Sequence, residues 1–458
     1  MSEDKSTFWD RVKHSIFRSP VHPGTDRERT WAVFTNLILH VHPRVVPEKT
    51  LKFSLTWGLG GMAVVLVVLQ VLTGILLLFV YKPFPDRAYD SILTLQNDVF
   101  FGQLVRNIHH WSGNVLVIVA FLHMLRVFFT GAFHKTRQFN WLIGLSTFFC
   151  VLLSNFTGYL LPWDQVSFWA ITISTSMIEH IPGIGLWLQK VIRGGSEVGP
   201  STLLNFFTFH TTIIPVCLFV LLPIHFWRIR KAGGLVIPRS PGDETDEKPA
   251  MVQTIPDLVL REFVAALVLL AFIMLCSVFF NAPLGAEANP GLSPNPTKAP
   301  WFFSGIQELL LHLHPFFSIF VIPVGLFIGL ILLPYKKYDA VAPGVWFYSR
   351  KGRRLVILSS VTALVLTPIA IITDEFFIDL PAWMPELSHF VSNGGIPFGL
   401  MLLVFFGFYS MVRKRYSASN NEMIQALFVL LLTSFVVMTV ICVWFRGEAM
   451  ALVWPWSP

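Results

Sequence analysis

The sequence predicts an all-α fold, a polytopic bundle of about nine transmembrane helices. Of its 458 residues, 54% are hydrophobic and only 13% are charged, whereas about 25% are charged in a typical soluble domain. Apolar runs of about 20 residues, the length that crosses a bilayer, recur from one end of the chain to the other. Short polar segments separate these runs, so the chain is expected to cross a membrane repeatedly.

Nine apolar runs reach the length of a span. They lie at roughly 53–80, 108–130, 140–161, 206–228, 258–281, 317–334, 353–373, 395–412 and 423–445. Basic clusters follow the even-numbered runs, at 134–137, 228–231, 336–337, 350–354 and 413–415. By the positive-inside rule, these clusters and the N-terminus face the cytoplasm of a prokaryotic inner (plasma) membrane. This orientation in membrane lipid accounts for the net charge of +7, so no nucleic acid partner is expected.

Four histidines lie inside the second and fourth runs, where an ionisable side chain is costly and usually functional. His109 and His123 are fourteen residues apart, which returns to within about 40° of one helical face at a rise of about 21 Å. His210 and His225 are fifteen apart, with an offset of about 60° and a rise of about 22 Å. Two such helices side by side would pair their histidines at two levels. The neighbouring His110 would point about 140° away from His123 and is a poor ligand candidate.

Histidine pairs at two levels predict two b-type haems in an N-terminal four-helix bundle. Iron with two axial imidazoles has no open position for a substrate, so its chemistry is electron transfer. Arg106 and Arg126 each lie three residues from a histidine and could hold haem propionates, although Arg126 could instead reach the membrane interface. Glycines would leave room for a flat macrocycle but also serve ordinary helix packing. The candidates are Gly60, Gly61, Gly74, Gly113 and Gly131.

Several motifs between residues 45 and 375 resemble the cytochrome b family of the respiratory bc and photosynthetic bf complexes. The motifs are N-I-H-H-W at 107–111, R-V-F-F-T-G at 126–131, G-Y-L-L-P-W-D-Q at 158–165, F-W-A at 168–170 and I-P-G-I-G at 181–185. The first two match the family's second span, and the others are similar to its quinol-site loop and helix after the third span. The fifteen-residue histidine interval is similar to that of the bf branch.

The resemblance implies a subunit of a proton-translocating quinol:cytochrome c type oxidoreductase. His109 and His210 would hold a low-potential haem near the outer side, and His123 and His225 a high-potential haem near the cytoplasm. A quinol at the outer site would give one electron to a Rieske iron–sulfur protein, which serves a c-type cytochrome. The other electron would cross both haems to a quinone at the inner site. Two protons would leave on the outer side for each quinol, and the complex would be a homodimer.

Tyr159, Ala170, Pro300 and Trp301 are outer-site residues by the same resemblance. The family's P-E-W-Y motif aligns with residues 299–302, where a proline replaces the glutamate thought to accept a quinol proton. The chain therefore departs from the family at the residue that matters most for proton transfer.

Glu308 is the carboxylate nearest to this missing glutamate. An apolar setting would raise its pKa towards the range that suits a general base. His312 and His314 are alternative proton acceptors. Glu308 could equally be salt-bridged or face water at the membrane surface.

The inner site departs from the bf branch as well. That branch tethers an extra haem through a cysteine, but alignment on Q-x-x-T-G at 70–74 puts Gly58 at the position. Each of the four cysteines lies alone in an apolar run and no C-x-x-C-H sequence occurs, so no covalently tethered haem is expected. Arg230 and Lys231 match basic residues of the inner site and would meet a quinone or a propionate, or serve only as topology charges.

These features divide the chain into five segments. They are a cytoplasmic N-terminal segment at 1–50 with a surface helix around Phe8 to Phe17, a four-span di-haem domain at 51–231, a linker at 232–257, a three-span quinol-site domain at 258–375 and two additional spans at 376–458. The linker falls where the bf branch splits into two chains. An alternative function is the di-haem membrane anchor of a quinone-linked dehydrogenase or reductase, which would lack the G-Y-x-L-P-W segment.

Ala170 provides a test of the outer site, because mitochondrial relatives carry glycine there. In that family alanine is associated with resistance to methoxyacrylate inhibitors, since its methyl group intrudes where the inhibitor packs on bare backbone. Such overpacking costs roughly 1–3 kcal/mol, or about one to two decades of affinity. Quinol oxidation by the wild-type protein should therefore tolerate the inhibitor. In a titration, the Ala170→Gly variant should be inhibited at a concentration at least about tenfold lower. Equal sensitivity would show that other residues shape this pocket.

Overall fold

A computed structural model describes Thr7, Trp9 and residues 24–35, 42–238, 249–338 and 344–455. Within these residues, nine helices are long and apolar enough to cross a membrane. They are Leu59–Leu78, Gly102–Phe129, Lys135–Leu160, Pro200–Lys231, Thr254–Phe279, Phe316–Tyr335, Arg350–Phe377, Val391–Tyr416 and Asn420–Trp444, here called the first to ninth spans. The predicted polytopic helical bundle is confirmed.

Most spans extend beyond the apolar runs at one or both ends, whereas the first, Leu59–Leu78, is shorter than the predicted 53–80. The second span begins at Gly102 instead of 108, and the fourth begins at Pro200 instead of 206. Polar residues such as Gln103 and Arg106 occupy the added turns of the second span. Because a helix satisfies its own backbone hydrogen bonds, it continues past the hydrocarbon layer, and a hydropathy pattern does not register these polar turns.

A wider, π-helical turn lies within the fourth span, at Phe209–Ile213, and others lie at the start of the fifth, sixth and eighth spans, at Thr254–Leu258, Phe316–Val321 and Val391–Gly395. In the fourth, sixth and eighth spans a proline follows two residues after the turn, at Pro215, Pro323 and Pro397. Proline has no N–H to donate to the carbonyl four residues earlier, and its ring crowds that carbonyl. These prolines explain why the turn opens.

Shorter helices lie between the spans and at the ends of the bundle. They are Asp26–Thr35, Phe53–Thr56, Ala88–Asn97, Gln165–Ser176, Gly185–Arg193, Ser304–His312 and Leu380–Trp383. Two strands, Val45–Pro47 and Met251–Gln253, pair antiparallel with Val46 opposite Val252. This ribbon joins the segment before the first span to the segment before the fifth.

The first five spans share one apolar core. Leu66, Leu116, Val151, Leu218 and Ile273 each come from a different span, and all five side chains are buried. Many apolar side chains on the opposite faces of the spans are exposed, as expected of surfaces that contact lipid tails.

The last three spans form a second core. Leu355, Phe408 and Ala426 come from the seventh, eighth and ninth spans and pack together. The ninth span also packs on helix Ser304–His312, where a Cβ on Gly305 would lie 2.7 Å from the ring of Phe435. The ninth span, the second of the two additional C-terminal spans, therefore lies against the segment predicted to form the outer site.

Loops that follow odd-numbered spans meet at one end of the bundle, here called the outer end. The rings of His180, His314 and His389, from the loops after the third, fifth and seventh spans, lie 6.0 and 6.2 Å apart. At the opposite, inner end, the rings of His134 and Tyr338 from the loops after the second and sixth spans lie 4.5 Å apart. Such grouping is what regular, alternate crossing of a membrane requires.

The N-terminal segment contains a helix that the apolar pattern missed. Helix Asp26–Thr35 begins with a capping box, in which the Thr25 and Glu28 side chains each accept a hydrogen bond from the backbone N–H of the other. The T-x-x-E sequence signals this helix start. The surface helix predicted around Phe8 to Phe17 lies outside the described residues apart from Trp9, as do residues 239–248 of the predicted linker.

Candidate functional site

The second and fourth spans bring the four histidines together as two pairs. The ring centroids of His109 and His210 are 6.1 Å apart, and those of His123 and His225 are 6.5 Å apart. The rings of each pair meet at 77° and 79°. Because His109 and His123 lie fourteen residues apart on one continuous helix, the pairs are separated by about 21 Å along the bundle.

A wide turn explains how fifteen residues of the fourth span match fourteen of the second. His210 lies in the π-helical turn Phe209–Ile213, which holds one more residue than an α-helix does over the same rise. The rest of the interval to His225 is α-helical. The expected offset of about 60° assumed a regular helix throughout and is corrected towards the about 40° of the second span.

The separation within each pair fits one metal ion between two imidazoles. A metal–nitrogen bond of about 2 Å on each side, together with the two ring radii, gives a centroid separation of about 6 Å. His210 donates through Nδ1 to the carbonyl of Ser154 at 2.9 Å, and Nδ1 of His109 lies 2.9 Å from the Thr73 hydroxyl. These contacts leave Nε2 for a metal and hold each ring in position, as outer-shell partners of histidine ligands do.

Two of the predicted glycines lie directly against the histidines of the second span. A Cβ on Gly74 would lie 3.4 Å from Cε1 of His109, and a Cβ on Gly60 would lie 3.4 Å from Cε1 of His123. Side chains at these positions would fill the space beside each ring. Bare backbone there is the cradle that a flat macrocycle needs.

The third span supplies two further glycines that the sequence analysis missed. A Cβ on Gly158 would lie 2.5 Å from Cε1 of His210, and one on Gly144 would lie 3.3 Å from Cε1 of His225. These glycines are fourteen residues apart, as are those of the first span. The shared interval was the signal that would have identified them.

The other glycine candidates lie elsewhere. A Cβ on Gly113 would meet the side chains of Gln70 and Asn155, and Gly61 has open space around it. Gly131 has a φ of +57°, ends the second span and lies against His134. It contacts neither histidine pair, so a role beside the macrocycle is not supported for it.

The two predicted arginines differ in how their nitrogens are used. Both are buried. Arg106 donates to the carbonyls of Ala282 and Pro283, each at 2.7 Å. Arg126 donates through Nε to the carbonyl of Leu55 at 3.0 Å, while its buried Nη2 has no hydrogen-bond partner among the described residues. An unpaired donor beside a histidine suits an acidic group such as a propionate.

His110 points away from both pairs. Its Nε2 lies 3.3 Å from the amide nitrogen of Asn114, and its ring meets the ring of Trp111 edge-on at 5.0 Å. The basic side chains at the C-terminal end of the fourth span lie over aromatic rings. Lys231 lies over the ring of Trp227 and Arg230 over the ring of Phe34.

The predicted outer-site helix, Gln165–Ser176, is fastened to the segment that follows the fifth span. Asp164 caps it by accepting from the backbone N–H of Ser167 at 2.9 Å, and it also accepts from Gly285 at 2.8 Å. Ala170 is buried within this helix, and Tyr159 lies half-buried in the last turn of the third span.

The segment that replaces the P-E-W-Y motif lies against the second and third spans. The indole of Trp301, which follows Pro300, donates to the side-chain oxygen of Asn114 at 2.7 Å. The ring of Phe303 meets that of Phe156 edge-on at 5.4 Å. Asn114 lies little more than one turn from His109, so this segment closes the bundle near the outer histidine pair.

Glu308 lies in a buried ion pair that the sequence analysis did not predict in detail. Its side chain is fully buried and accepts from Nη2 of Arg446 at 2.6 Å and from Nε at 3.0 Å. Arg446 lies in the segment after the ninth span and also donates to Glu375 at 2.9 Å. The alternative of a salt-bridged Glu308 is therefore what the structure contains.

The expected raised pKa of Glu308 is wrong. Burial alone would raise this pKa, but the hydrogen bonds from His312 and Arg446 and their charges hold it below its ordinary value. For His312, burial acts to lower the pKa, but the bonds to Asp374 and Glu308 outweigh burial and raise it to about 9. The carboxylates and the imidazole therefore stabilise each other in their charged forms.

The other alternative acceptor, His314, lacks such partners. Its Nδ1 accepts from the backbone N–H of Phe316 at 3.2 Å, and its ring lies between those of His180 and His389. Burial and the two neighbouring histidines lower the pKa of His314. It is therefore a weaker base than His312.

Comparison with known proteins agrees with this geometry. A family model described as Cytochrome b/b6/petB matches residues 46–233. The chain is 40% identical over 192 residues to cytochrome b6 of Heliomicrobium gestii, covering 88% of that protein and 42% of this chain. The chain belongs to the cytochrome b family. It is also 42% identical over 175 residues to the menaquinol:cytochrome c reductase cytochrome b subunit of Bacillus subtilis (strain 168), covering 78% of that protein and 38% of this chain.

A solved structure extends the likeness beyond the family match. A chain of a hyperthermophilic respiratory Complex III superposes with a TM-score of 0.61 and 22% identity. The match covers 85% of this chain and 91% of that chain. At this identity the comparison supports the fold, which thus includes most of the chain beyond the cytochrome b match.

Arg446→Met should destabilise the outer end, because the buried Glu308 would lose the two close hydrogen bonds from the guanidinium and keep only its 3.3 Å contact with His312. Removal of one partner from a buried ion pair costs about 3–5 kcal/mol, which should lower the apparent Tm of the purified protein by at least about 3 °C. The double variant Glu308→Gln with Arg446→Met should recover most of the loss. The exposed Arg354 at the inner end provides the control, and Arg354→Met should leave the Tm unchanged. A double variant as unstable as the single one would contradict the assignment.

Proposed function

We propose that this cytochrome b is the di-haem subunit of a proton-translocating quinol:cytochrome c type oxidoreductase. The observation that carries the proposal is the arrangement of four histidines as two pairs on two spans, at a separation that fits a metal between each pair. His109 with His210 would hold the outer haem, and His123 with His225 the inner one. When bound, the two haems would carry electrons one at a time between the two ends of the bundle.

The surrounding groups orient the histidines and leave space between them. Thr73 and the carbonyl of Ser154 hold the outer imidazoles through Nδ1 and orient Nε2 towards the space between the rings. Glycines on the first and third spans keep that space open. The unpaired Nη2 of Arg126 would bind one acidic substituent of the inner group. No tethered haem is proposed, since Gly58 offers no sulfur.

The substrate class is proposed from the relatives and from the outer end. The Bacillus subtilis relative is named as a menaquinol:cytochrome c reductase subunit, which supports a quinol as the electron donor. Tyr159, Ala170, Pro300 and Trp301 would line or support its outer site. A quinone at the inner site would lie near Arg230 and Lys231 at the end of the fourth span.

The proposed partners follow from the same chemistry. One electron from each quinol would leave to a Rieske iron–sulfur protein and a c-type cytochrome, and the other would cross the membrane. The complex would be a homodimer in a prokaryotic plasma membrane, with the N-terminus of this subunit in the cytoplasm. The basic residues at the inner end support this orientation.

Reduction of the purified complex by a short-chain quinol tests the function directly. We expect a dithionite-reduced minus oxidised spectrum with two b-type haems per chain, and quinol-driven reduction of a c-type cytochrome. Two haems without cytochrome c reduction would support the alternative of a membrane anchor for another quinone-linked enzyme. Absence of haem would reject both functions.

The histidine pairs generate a separate prediction. Substitution of His109, His123, His210 or His225 by leucine should remove one b-type haem each, because a single imidazole remains at the altered level. Pyridine haemochrome analysis of the purified variants measures the content. His110→Leu is the matched control and should retain both haems, since His110 contacts Asn114 and Trp111 instead. Loss of a haem from the control, with retention in His109→Leu, would overturn the assignment.

A further inference from the structure

The ionic cluster at the outer end joins three parts of the chain. Glu308 and His312 come from helix Ser304–His312, and Asp374 and Glu375 come from the end of the seventh span. Arg446 follows the ninth span, which the sequence analysis left without a role. The cluster therefore connects the additional C-terminal spans to the outer-site segment.

Contacts within the cluster lead from the interior towards water. Oε1 of Glu308 lies 3.3 Å from Nε2 of His312, and Nδ1 of His312 lies 2.6 Å from Oδ2 of Asp374. The exposed fraction of the side chain rises along this line, from 0% for Glu308 to 14% for His312 and 38% for Asp374. The buried carboxylate of Glu308 is thus linked through the imidazole of His312 to the solvent-exposed carboxylate of Asp374.

His312 has a partner for Nε2 in either protonation state. With a proton on Nε2, the ring donates to Glu308, and without that proton Nε2 accepts from Nη2 of Arg446 at 3.1 Å. Neither state leaves a buried polar atom unpaired, which would cost free energy. The imidazole can therefore gain and lose this proton without rearranging the cluster.

Charges in the cluster favour a proton on the imidazole. Glu308, Asp374 and Glu375 bring three negative charges, whereas Arg446 brings one positive charge. Two further titratable groups lie nearby: Cys442, with Sγ 3.6 Å from the side chain of Gln307, and Lys298, which donates to the carbonyl of Val443 at 2.9 Å. The surplus of carboxylates keeps a proton on His312 and ready for transfer.

We propose that Glu308, His312 and Asp374 form an exit relay for protons released at the outer site, with Arg446 of the C-terminal segment as the positioning residue of Glu308. The relay rests on the proposed quinol oxidation, which supplies the protons. It assigns the ninth span a part in the reaction, because Arg446 follows the end of this span. It also supplies a carboxylate where proline stands in place of the motif glutamate.

The transfer balances in protons at each atom. In the charged resting state, His312 carries a proton on each ring nitrogen. The proton on Nδ1 passes to Asp374, which releases it to water, and reversal of the ring tautomer then frees Nε2. A proton leaves the quinol hydroxyl, forms an O–H bond on Glu308 and moves to Nε2, which restores the charged ring, and no electron moves through these side chains.

The role of Asp374, which releases the proton to water, is tested with Asp374→Asn in the purified complex. Asparagine keeps an oxygen that accepts from Nδ1 of His312 but cannot take up its proton. We expect the rate of haem reduction by a short-chain quinol, in stopped flow at neutral pH, to fall at least about tenfold. Added sodium formate should restore part of this rate by acting as a mobile carboxylate. Asp379→Asn is the matched control at the same end, since Asp379 is exposed, caps helix Leu380–Trp383 and asparagine caps equally well.

The outcomes of this experiment distinguish failure of the relay from failure of the proposed function. A slow variant with wild-type haem content that formate accelerates supports the relay. An Asp374→Asn rate equal to that of the control, or a loss that formate does not change, overturns it. If quinol fails to reduce the wild-type complex, the proposed function itself has failed. If quinol reduces the wild type and both variants equally fast, only the relay has failed.

Two further variants test the relay even if Asp374→Asn disturbs the local structure. His312→Gln retains two hydrogen-bonding groups but cannot carry a proton between them, so we expect the same loss without rescue by formate. Arg446→Met should lose rate, and Arg446→Lys should regain most of it, because the positive charge beside Glu308 returns. All samples are compared at matched haem content. A wild-type rate in His312→Gln or Arg446→Met would contradict the relay.

Discussion

Pairing of two spans through histidines at two levels is the constraint on which the N-terminal half of this protein depends. Both pairs must meet at nearly the same ring separation, so the second span has to remain helical over about 21 Å. The fourth span has one residue more and absorbs it in the wide turn Phe209–Ile213. Gln70 of the first span donates to the carbonyl of His109 at 2.6 Å, which secures the level of the outer pair. Glycines on both neighbouring spans then leave backbone beside each ring.

The sequence predicted this half well because its signals are periodic. Apolar runs, intervals of fourteen and fifteen and an angle of about 100° per residue were sufficient to select the four histidines. Of the five glycines named as room for a macrocycle, Gly60 and Gly74 lie against the histidines. Gly144 and Gly158 carry the same interval but lie on a span without histidine, so nothing drew attention to them. The expected angle between His210 and His225 was wrong because the turn Phe209–Ile213 is not α-helical. Pro215, two residues after this turn, explains why the turn is wider.

The outer end was predictable only in part, because its decisive contact joins residues 138 positions apart. The pattern around Glu308 identified a carboxylate in an apolar setting, from which a raised pKa follows by burial alone. Arg446 reverses that outcome, and nothing in its local sequence indicates its partner. An isolated charge in such a setting would be lost by protonation, whereas a forked guanidinium with two hydrogen bonds keeps it. The sign of the shift therefore depends on tertiary packing of the ninth span on helix Ser304–His312.

The ribbon between Val45–Pro47 and Met251–Gln253 has a consequence for how the two halves of the protein stay together. It bridges the halves next to the membrane surface, while Asn107 bonds to the carbonyl of Ser277 and to Asn281 at the other end of the same spans. Apolar packing between Leu66 and Ile273 fills the region between them. These contacts hold the two halves together without the residues between 238 and 249. A gene split at this point would yield two polypeptides that still recognise each other, so fusion and fission of such subunits are close to neutral for the assembled fold.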